Sequence, residues 1–229
     1  MRAGIILVRL DSKRFPNKAF SILGKKKLIE YPIQALLNDN FFTPIIATTD
    51  RSVDTPLAEL GEQYNIKIFR GSLDNIQKRV IDCIHQYNIT EFIRINGDSP
   101  FLRIDLLKQG YDILQKNNYD FVTNLYPRSF PYGISIEIFK SNVFIGRINQ
   151  MRTEFYREHI TSYFYENIEQ FNYKNILLEN GQNHQDIRLT VDTKEDLKMI
   201  QKMIDMDENI FEKDIEEIVK IYKQINRKG

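Results

Sequence analysis

The sequence predicts an α/β protein in which helices flank a mostly parallel, twisted sheet of the Rossmann-like type. Short apolar segments rich in Ile and Val recur along the 229-residue chain, and such runs are typical of strands covered on both faces. Between them, apolar residues recur three and four positions apart, as in amphipathic helices. Strands that alternate with helices favour parallel pairing. We therefore expect one domain over residues 1–229, with a small dimerisation lobe.

The strands are predicted from the apolar runs in chain order. One run differs from the others, because Ile134, Ile136 and Ile138 alternate with the polar residues Ser135 and Glu137. This alternation predicts a half-exposed strand that pairs in antiparallel fashion. The seven predicted strands span residues 3–8, 45–49, 66–69, 92–96, 121–124, 134–139 and 187–191.

Helices are predicted where apolar stripes fall between the strands. The four predicted helices span residues 28–37, 76–87, 104–114 and 197–204. The tract 126–180 departs from the alternation because it is rich in Phe, Tyr and Asn. We predict that it forms an inserted lobe and a dimerisation arm, since its aromatic side chains need burial somewhere.

Composition narrows the possible functions. The formal net charge is +1, whereas a general nucleic-acid binder usually carries a basic excess, so neither nucleic acid nor a membrane is expected as a partner. A single Cys excludes an internal disulfide and fits a reducing compartment. The apolar run at the N-terminus is too short to span a bilayer or act as a signal peptide. These features predict a soluble cytoplasmic protein.

The loop after the first predicted strand combines three cations with a hydroxyl group. Arg9, Ser12, Arg14 and Lys18 follow the apolar run at once, and Pro16 restricts the chain between the last two. A planar guanidinium fork and a flexible ammonium both suit phosphate oxygens, so the loop predicts a polyphosphate site. As the alternative, Arg14 and Lys18 are ordinary solvated surface cations.

Polar residues also follow the other predicted strands, and the carboxyl ends of parallel strands meet at the sheet edge where ligands bind. Two acids stand out there, Asp98 in NGDSP and Asp192 in TVDTKEDL. Such a pair fits Mg²⁺, which prefers one or two carboxylates together with waters and phosphate oxygens. As alternatives, Asp98 is an ordinary turn residue and Asp192 caps the helix that follows.

A series of motifs runs through nearly the whole chain in one order. It consists of Arg9-x-x-Ser12-x-Arg14-x-Pro16-x-Lys18, Leu23-Gly24, Glu30-Tyr31, Ala47-Thr48-Thr49-Asp50, Phe69-Arg70-Gly71-Ser72, Arg79, Arg94-Ile95-Asn96-Gly97-Asp98-Ser99-Pro100, Phe130-Pro131-x-Gly133, Glu137, Arg157-Glu158-His159-Ile160-Thr161 and Thr190-Val191-Asp192-Thr193-x-Glu195-Asp196-Leu197. Together these motifs resemble the CMP-sugar-acid cytidylyltransferases, the family of CMP-KDO synthetase. The likeness is closer to the spore-coat polysaccharide biosynthesis branch.

The resemblance implies a nucleotide-diphospho-sugar transferase-like fold, whereas the homodimer is expected from the aromatic excess of 126–180. The resemblance also implies Mg²⁺-dependent transfer of CMP from CTP to a sugar hydroxyl, favouring a sugar acid, with release of pyrophosphate, for surface polysaccharide or glycan synthesis. By the same resemblance, the main chain of Leu7, Val8 and Arg9 reads cytosine. The other implied roles are triphosphate binding by Arg9, Ser12, Arg14 and Lys18, closure over the nucleotide by Gly71, Ser72 and Arg79, Mg²⁺ binding by Asp98 and Asp192, and acceptor binding by Glu137, Arg157 and His159. The catalytic residues implied in this way are Arg14, Lys18, Asp98 and Asp192. Asp98 is also expected to contact the nucleotide.

Two other functions remain open at this point. A glycosyltransferase that consumes a nucleotide sugar would have a similar sheet, but an Asp-x-Asp motif is then expected at a strand end. The motif Asp205-Met206-Asp207 follows a helical stripe instead. A non-catalytic nucleotide-binding protein on the same scaffold would tolerate loss of either carboxylate, and both are present.

Overall fold

The structure is a computed structural model that describes residues 1–226. Its strands are Arg2–Leu7 (β1), Ile22–Leu23 (β2), Lys26–Lys27 (β3), Thr43–Thr49 (β4), Lys67–Gly71 (β5), Glu91–Asn96 (β6), Phe121–Thr123 (β7), Glu137–Lys140 (β8) and Tyr173–Asn175 (β9). Its α-helices are Glu30–Asp39 (α1), Thr55–Gln63 (α2), Ile76–Tyr87 (α3), Ile104–Lys116 (α4), Ser141–Ile145 (α5), Glu154–Glu158 (α6), Ser162–Glu166 (α7), Lys194–Met206 (α8) and Ile215–Asn226 (α9).

Seven strands form the main sheet in the order β5-β4-β1-β6-β8-β7-β9, and β2 pairs with β3 in a separate hairpin. Strand β1 pairs in parallel with β4 and β6, and β4 pairs in parallel with β5. Strand β8 runs antiparallel to both of its neighbours. The mostly parallel α/β sheet predicted from the sequence is therefore confirmed, as is antiparallel pairing within 134–139. The predicted half exposure of that strand is wrong, because Glu137 is buried in an ion pair with Arg94.

Two apolar cores cover the two faces of the sheet, which explains why its central strands are apolar throughout. Adjacent side chains of a strand point to opposite faces, and Ile5 and Ile6 of β1 accordingly belong to different cores. Helices α1, α2, α4, α8 and α9 contribute to the core around Ile6, whereas α3, α5 and α7 contribute to the core around Ile5. Burial on both sides holds the carboxyl ends of β1, β4 and β6 in fixed positions.

The segment 126–180, predicted as an inserted lobe, is built into this domain. It supplies β8 and β9 to the main sheet, and Phe144 and Phe164 are fully buried in the core around Ile5. Many of its aromatic side chains therefore find their burial inside the chain. Its role as a dimerisation arm stays a prediction.

One predicted strand is wrong. Residues 187–191 form an extended segment with a single bridge, between Arg188 and Tyr132, and they join no strand of the sheet. Its apolar side chains are buried, so the strand-like pattern arose from burial alone. Asp192 therefore follows a buried extended segment rather than a sheet strand.

Five helices were not predicted from the sequence, namely α2, α5, α6, α7 and α9. Three of them, α5 to α7, are only five residues long, which is too short for a helical period to be recognised. Within residues 1–226, none of the helices combines the length and the apolar character that crossing a membrane requires.

Candidate functional site

A cleft of about 710 Å³ opens at the carboxyl ends of β1 and β6, the edge where ligands bind in parallel sheets. The loop after β1, the start of α3 and helix α6 form its walls. Of the predicted site residues, Leu7, Val8, Arg9, Ser12, Lys18, Arg79, Asp98 and Arg157 line it. The remaining ones, Arg14, Gly71, Ser72, Glu137, His159 and Asp192, lie outside this lining.

Lys18 joins the two predicted metal ligands. Its Nζ atom lies 2.6 Å from Asp98 Oδ2 and 3.0 Å from Asp192 Oδ1. The Lys18 side chain is 14% exposed, so it is not a solvated surface cation. Two carboxylates from distant parts of the chain thus share one ammonium group beside the cleft.

Asp192 is surrounded by cations. Arg14 Nη2 lies 3.0 Å from its Oδ1, and Arg188 pairs with its Oδ2. Burial alone would raise the pKa of Asp192, but Lys18, Arg14 and Arg188 outweigh that effect and lower the pKa below its ordinary value. Asp192 is therefore an ionised carboxylate at neutral pH. The Arg14 side chain remains 69% exposed and can reach a ligand from the solvent side.

Helix α8 does not use Asp192 as its cap. Thr193 is the N-cap, and its Oγ1 accepts a hydrogen bond of 3.2 Å from the Asp196 amide. The Asp196 carboxylate accepts from the Thr193 amide at 2.8 Å and from the Asp192 amide at 2.9 Å, which completes a capping box. The Asp192 carboxylate is consequently free to face the cations of the site.

Asp98 is anchored from two sides. The Gly97 amide donates to the Leu7 carbonyl at 3.0 Å, which ties the end of β6 to the end of β1. The Val191 amide donates to the Asp98 carbonyl at 2.9 Å, and the Thr190 hydroxyl lies 3.3 Å from Asp98 Oδ1. These bonds hold the segments that carry Asp98 and Asp192 against each other.

The loop after β1 rests on a buried carboxylate, Asp54. The Leu10 amide donates to Asp54 Oδ1 at 2.7 Å, and Asp54 Oδ2 accepts from the Thr49 hydroxyl. Arg51 bridges Asp54, at 3.2 Å, and the cleft-lining Asp11, at 2.5 Å. The hydrogen bond to Arg51 lowers the pKa of Asp11. Asp54 thereby fixes the loop to the end of β4.

Arg79 is a buried cation that lines the cleft without a carboxylate partner. It is 2% exposed, and within residues 1–226 its Nε and Nη1 atoms have no hydrogen-bond partner. Burial and the nearby charge of Arg9 lower the pKa of Arg79 to about 10. Because a buried charge is costly unless it is paired, this guanidinium is a candidate anion-binding group.

Gly71 and Ser72 shape the entry to α3 rather than the cleft wall. Gly71 ends β5, and Ser72 Oγ accepts a 3.2 Å hydrogen bond from the Asn75 amide. Asn75 in turn caps α3 by accepting from the Lys78 amide. This cap fixes the start of the helix that carries Arg79.

Glu137 lies behind the cleft, at the start of β8, and is buried. Its Oε2 pairs with Arg94 Nη1 at 2.6 Å, and its Oε1 accepts from the Tyr165 hydroxyl at 2.8 Å. Burial alone would lower the pKa of Arg94, but Glu137 outweighs it, so this pKa is raised. Arg94 rather than Glu137 lines the cleft, so Glu137 holds Arg94 in place.

Helix α6 closes the open side of the cleft. Arg157, Glu154 and Glu158 line it from this helix, which Thr153 caps. His159 follows the helix and is exposed, with its ring centroid 4.8 Å from that of Phe155. The structure thus brings Arg157 to the cleft and leaves His159 at its rim.

Several functional side chains were missed by the sequence reasoning. Arg188 was read only as part of an apolar run, yet it lies four residues before Asp192, and its Nε is also 3.3 Å from Asp196 Oδ1. Asp54 was not singled out, although it directly precedes α2, whose first turn contains Pro56, a typical helix-start signal. That signal predicts a helix cap and not a buried acid that holds a loop. The Asp205-Met206-Asp207 motif lies at the end of α8. Its Asp207 carboxylate pairs with Lys213 at 3.0 Å, and these residues do not line the cleft.

Comparisons with known proteins find similar chains. The spore coat polysaccharide biosynthesis protein SpsF of Bacillus subtilis is 27% identical over 210 residues, which cover 87% of this chain and 84% of that protein. A cytidylyltransferase structure from Leptospira borgpetersenii superposes with a TM-score of 0.90 at 26% identity, covering 99% of this chain and 95% of that one. CMP:2-keto-3-deoxy-manno-octonic acid synthetase complexed with CTP shares the fold, with a TM-score of 0.64 at 14% identity and coverage of 90% and 99%.

The family model described as cytidylyltransferase matches residues 3–226, nearly the full length. The match includes both carboxylates, the loop after β1 and helix α3. The chain therefore belongs to the cytidylyltransferase family and is a nucleotidyltransferase.

Proposed function

We propose that the chain transfers CMP from CTP to a hydroxyl group of a sugar acid, with Mg²⁺ as cofactor and pyrophosphate as the second product. The product would serve surface polysaccharide or glycan synthesis, in line with the printed name of the Bacillus relative. The observation that carries the proposal is the Lys18 ammonium, which contacts Asp98 and Asp192 together beside the cleft. A nucleotidyltransferase needs a cation between carboxylates and phosphates at this place.

The two carboxylates fit Mg²⁺ by their chemistry. They are hard oxygen donors that already hold one cation between them, and no group of three or more candidate ligand side chains occurs within residues 1–226. Mg²⁺ suits such a sparse site, because it usually keeps several waters and binds substrate phosphates. Bound there, it would withdraw charge from the phosphate oxygens.

The chain's own cations would bind and orient the triphosphate. A triphosphate carries about four negative charges near neutral pH, and positioning and charge stabilisation dominate phosphoryl-type transfer. Arg9 and Lys18 line the cleft from one wall and Arg79 from another, while Arg14 reaches in from solvent. Arg79 is buried, and its Nε and Nη1 atoms have no hydrogen-bond partner among residues 1–226, so the phosphates would supply one.

The acceptor would lie beyond the carboxylates, next to Arg94 and Arg157. Both guanidinium groups line the cleft and can pair with an acidic group of the acceptor in bidentate fashion. Glu137 and Tyr165 hold Arg94 from behind. His159 lies at the rim, where a large acceptor would pass it.

The test is a pyrophosphate-release assay with CTP, Mg²⁺ and a panel of sugar acids, amino sugars and neutral sugars. We expect release with CTP and at least one sugar acid. We also expect calorimetric titration of the four nucleoside triphosphates with Mg²⁺ to rank CTP first. Tighter binding of ATP, or release only with neutral sugars, would contradict the proposal.

Asp98→Asn removes one carboxylate charge without changing the size of the side chain. We expect turnover to fall on the order of 100-fold or more, the usual effect of losing one preorganised group at a transition state. The matched control is Asp82→Asn, because the Asp82 side chain on α3 is 39% exposed and, among residues 1–226, forms an ion pair only with Lys78. Near-normal turnover in Asp98→Asn would refute the metal assignment.

A further inference from the structure

The Lys18 ammonium occupies the place between the two carboxylates that a metal ion would take. It is the only cation within 4.0 Å of the Asp98 carboxylate among residues 1–226, whereas Asp192 also has Arg14 and Arg188. Without Lys18, the Asp98 carboxylate would have no cation within 4.0 Å among residues 1–226. The lysine therefore neutralises the site in the chain without ligand.

Two cations cannot occupy one position between the same oxygens. Lys18 approaches Asp98 to 2.6 Å and Asp192 to 3.0 Å, which leaves no room for an ion at about 2.1 Å from each oxygen. A metal can enter only after the ammonium moves. The lysine has a flexible four-carbon stem, and the cleft that it lines receives the triphosphate under the proposed function.

We infer that Lys18 is an exchangeable counter-ion, which holds the metal site closed until a nucleoside triphosphate offers the ammonium new partners. The inference rests on the proposed function, because it needs a phosphate-bearing ligand in the cleft. Without nucleotide, the metal must displace an ammonium that both carboxylates hold. With nucleotide bound, the ammonium moves from the carboxylates to phosphate oxygens, and metal binding becomes favourable.

The inference predicts opposite effects of one substitution on two ligands. Lys18→Met keeps an unbranched stem and removes the charge, so Mn²⁺ alone should bind at least about tenfold more tightly than to the unchanged protein. CTP should bind more weakly, because a phosphate partner is lost. A lysine that served only the phosphates would weaken CTP binding without affecting the metal alone.

The experiment measures free Mn²⁺ by electron paramagnetic resonance, without and then with CTP. Lys13→Met is the matched control, since Lys13 lines the same cleft and forms no ion pair with either carboxylate among the described residues. In the unchanged protein and in Lys13→Met, we expect CTP to increase Mn²⁺ affinity by a large factor. By linkage, Mn²⁺ must increase CTP affinity by the same factor. In Lys18→Met this factor should shrink.

Three results would overturn the inference. They are equal Mn²⁺ affinity in Lys18→Met and the unchanged protein, an equal gain in Lys13→Met, and tight Mn²⁺ binding by the unchanged protein without nucleotide. Absence of CTP binding to the unchanged protein would instead refute the proposed function. The Mn²⁺ affinities of Lys18→Met and the unchanged protein, measured without CTP, would still test the role of Lys18. Lys18→Gln repeats the test should Lys18→Met fail to fold, with circular dichroism as the check on folding.

Discussion

Asp54 acts on the cleft without lining it. Its carboxylate is fully buried and accepts hydrogen bonds from the Leu10 amide, the Thr49 hydroxyl and Arg51. Leu10 belongs to the loop that carries Arg9, Arg14 and Lys18, so this buried acid sets the course of that loop. A buried carboxylate is kept only where several donors compensate for its desolvation, and three donors do so here.

Replacing Asp54 by Ala should affect both stability and nucleotide binding. The Leu10 amide and the Thr49 hydroxyl would lose their acceptor, and an unsatisfied buried group costs about 1–3 kcal/mol. We expect a decrease of that size in the free energy of unfolding in urea, together with a raised KM for CTP.

Asp50→Ala is the control for this change, because Asp50 also follows β4 but is exposed. Exposed substitutions usually stay within about 0.5 kcal/mol. An unchanged KM in Asp54→Ala would show that the loop keeps its course without the acid.

Some residues of the candidate site could be predicted from the sequence, and others could not. Asp98 and Asp192 stood out because each follows a buried apolar run, which is where ligand-binding residues collect in such folds. Asp54 and Arg188 did not, since their partners lie on other elements and only the folded chain brings them together. Glu137 was expected to face the acceptor, and its burial behind Arg94 could not be derived from alternation along β8.

At the scale of elements, the start of helix α8 leaves the Asp192 carboxylate free of capping. Thr193 and Asp196 satisfy the first amides of the helix, so Asp192 projects outside the helix toward Lys18. Had Asp192 capped the helix itself, its carboxylate would have been occupied by backbone donors. The capping box therefore makes the acidic site possible.

Thr193→Ala should destabilise the chain by about 1 kcal/mol, the usual effect of losing a hydroxyl N-cap. Thr193→Ser retains the hydroxyl and should restore most of that stability. Urea unfolding of both variants measures the difference. Equal stability of the Ala and Ser variants would mean that the Thr193 hydroxyl contributes nothing to the start of α8.

Elements with a regular period and enough length could be predicted from the sequence. The ranges 76–87 and 92–96 agree closely with α3 and β6, because their apolar residues repeat over full turns or fill a central strand. The strand predicted at 187–191 was wrong because a buried extended segment and a paired strand have the same apolar pattern. The two differ only in their hydrogen bonding. Helix α9 had a suitable period, with Ile218 and Val219 buried, and was overlooked.

At the scale of the whole molecule, the order of the strands creates the site. Strand β1 lies between β4 and β6, so the loops after all three strands open at the same edge. The loop after β1 supplies the cations, the turn after β6 supplies Asp98, and the segment after β4 supplies Asp54. Parallel pairing could be predicted from the alternation of strands and helices, but strand order depends on contacts between distant segments.

The predicted homodimer belongs to this scale, and the exposed apolar side chains support it. Five of the nine large apolar side chains that are exposed within residues 1–226 fall in the segment 126–180, although that segment is about a quarter of the chain. Clustered exposed apolar surface is typical of interaction sites. The five are Tyr126, Tyr132, Ile148, Phe155 and Leu177.

We expect light scattering to give twice the 27.2-kDa mass of one chain. Phe155 is 51% exposed, and Phe155→Asp places a charge on this surface, so it should shift the protein toward the monomer without changing its circular dichroism. Met206→Asp is the control, because Met206 is similarly exposed at the end of α8 and lies outside the segment. A monomer at high concentration of the unchanged protein would refute the homodimer. Equal dissociation by both substitutions would place the interface elsewhere, since only an interface through 126–180 makes Phe155 the sensitive position.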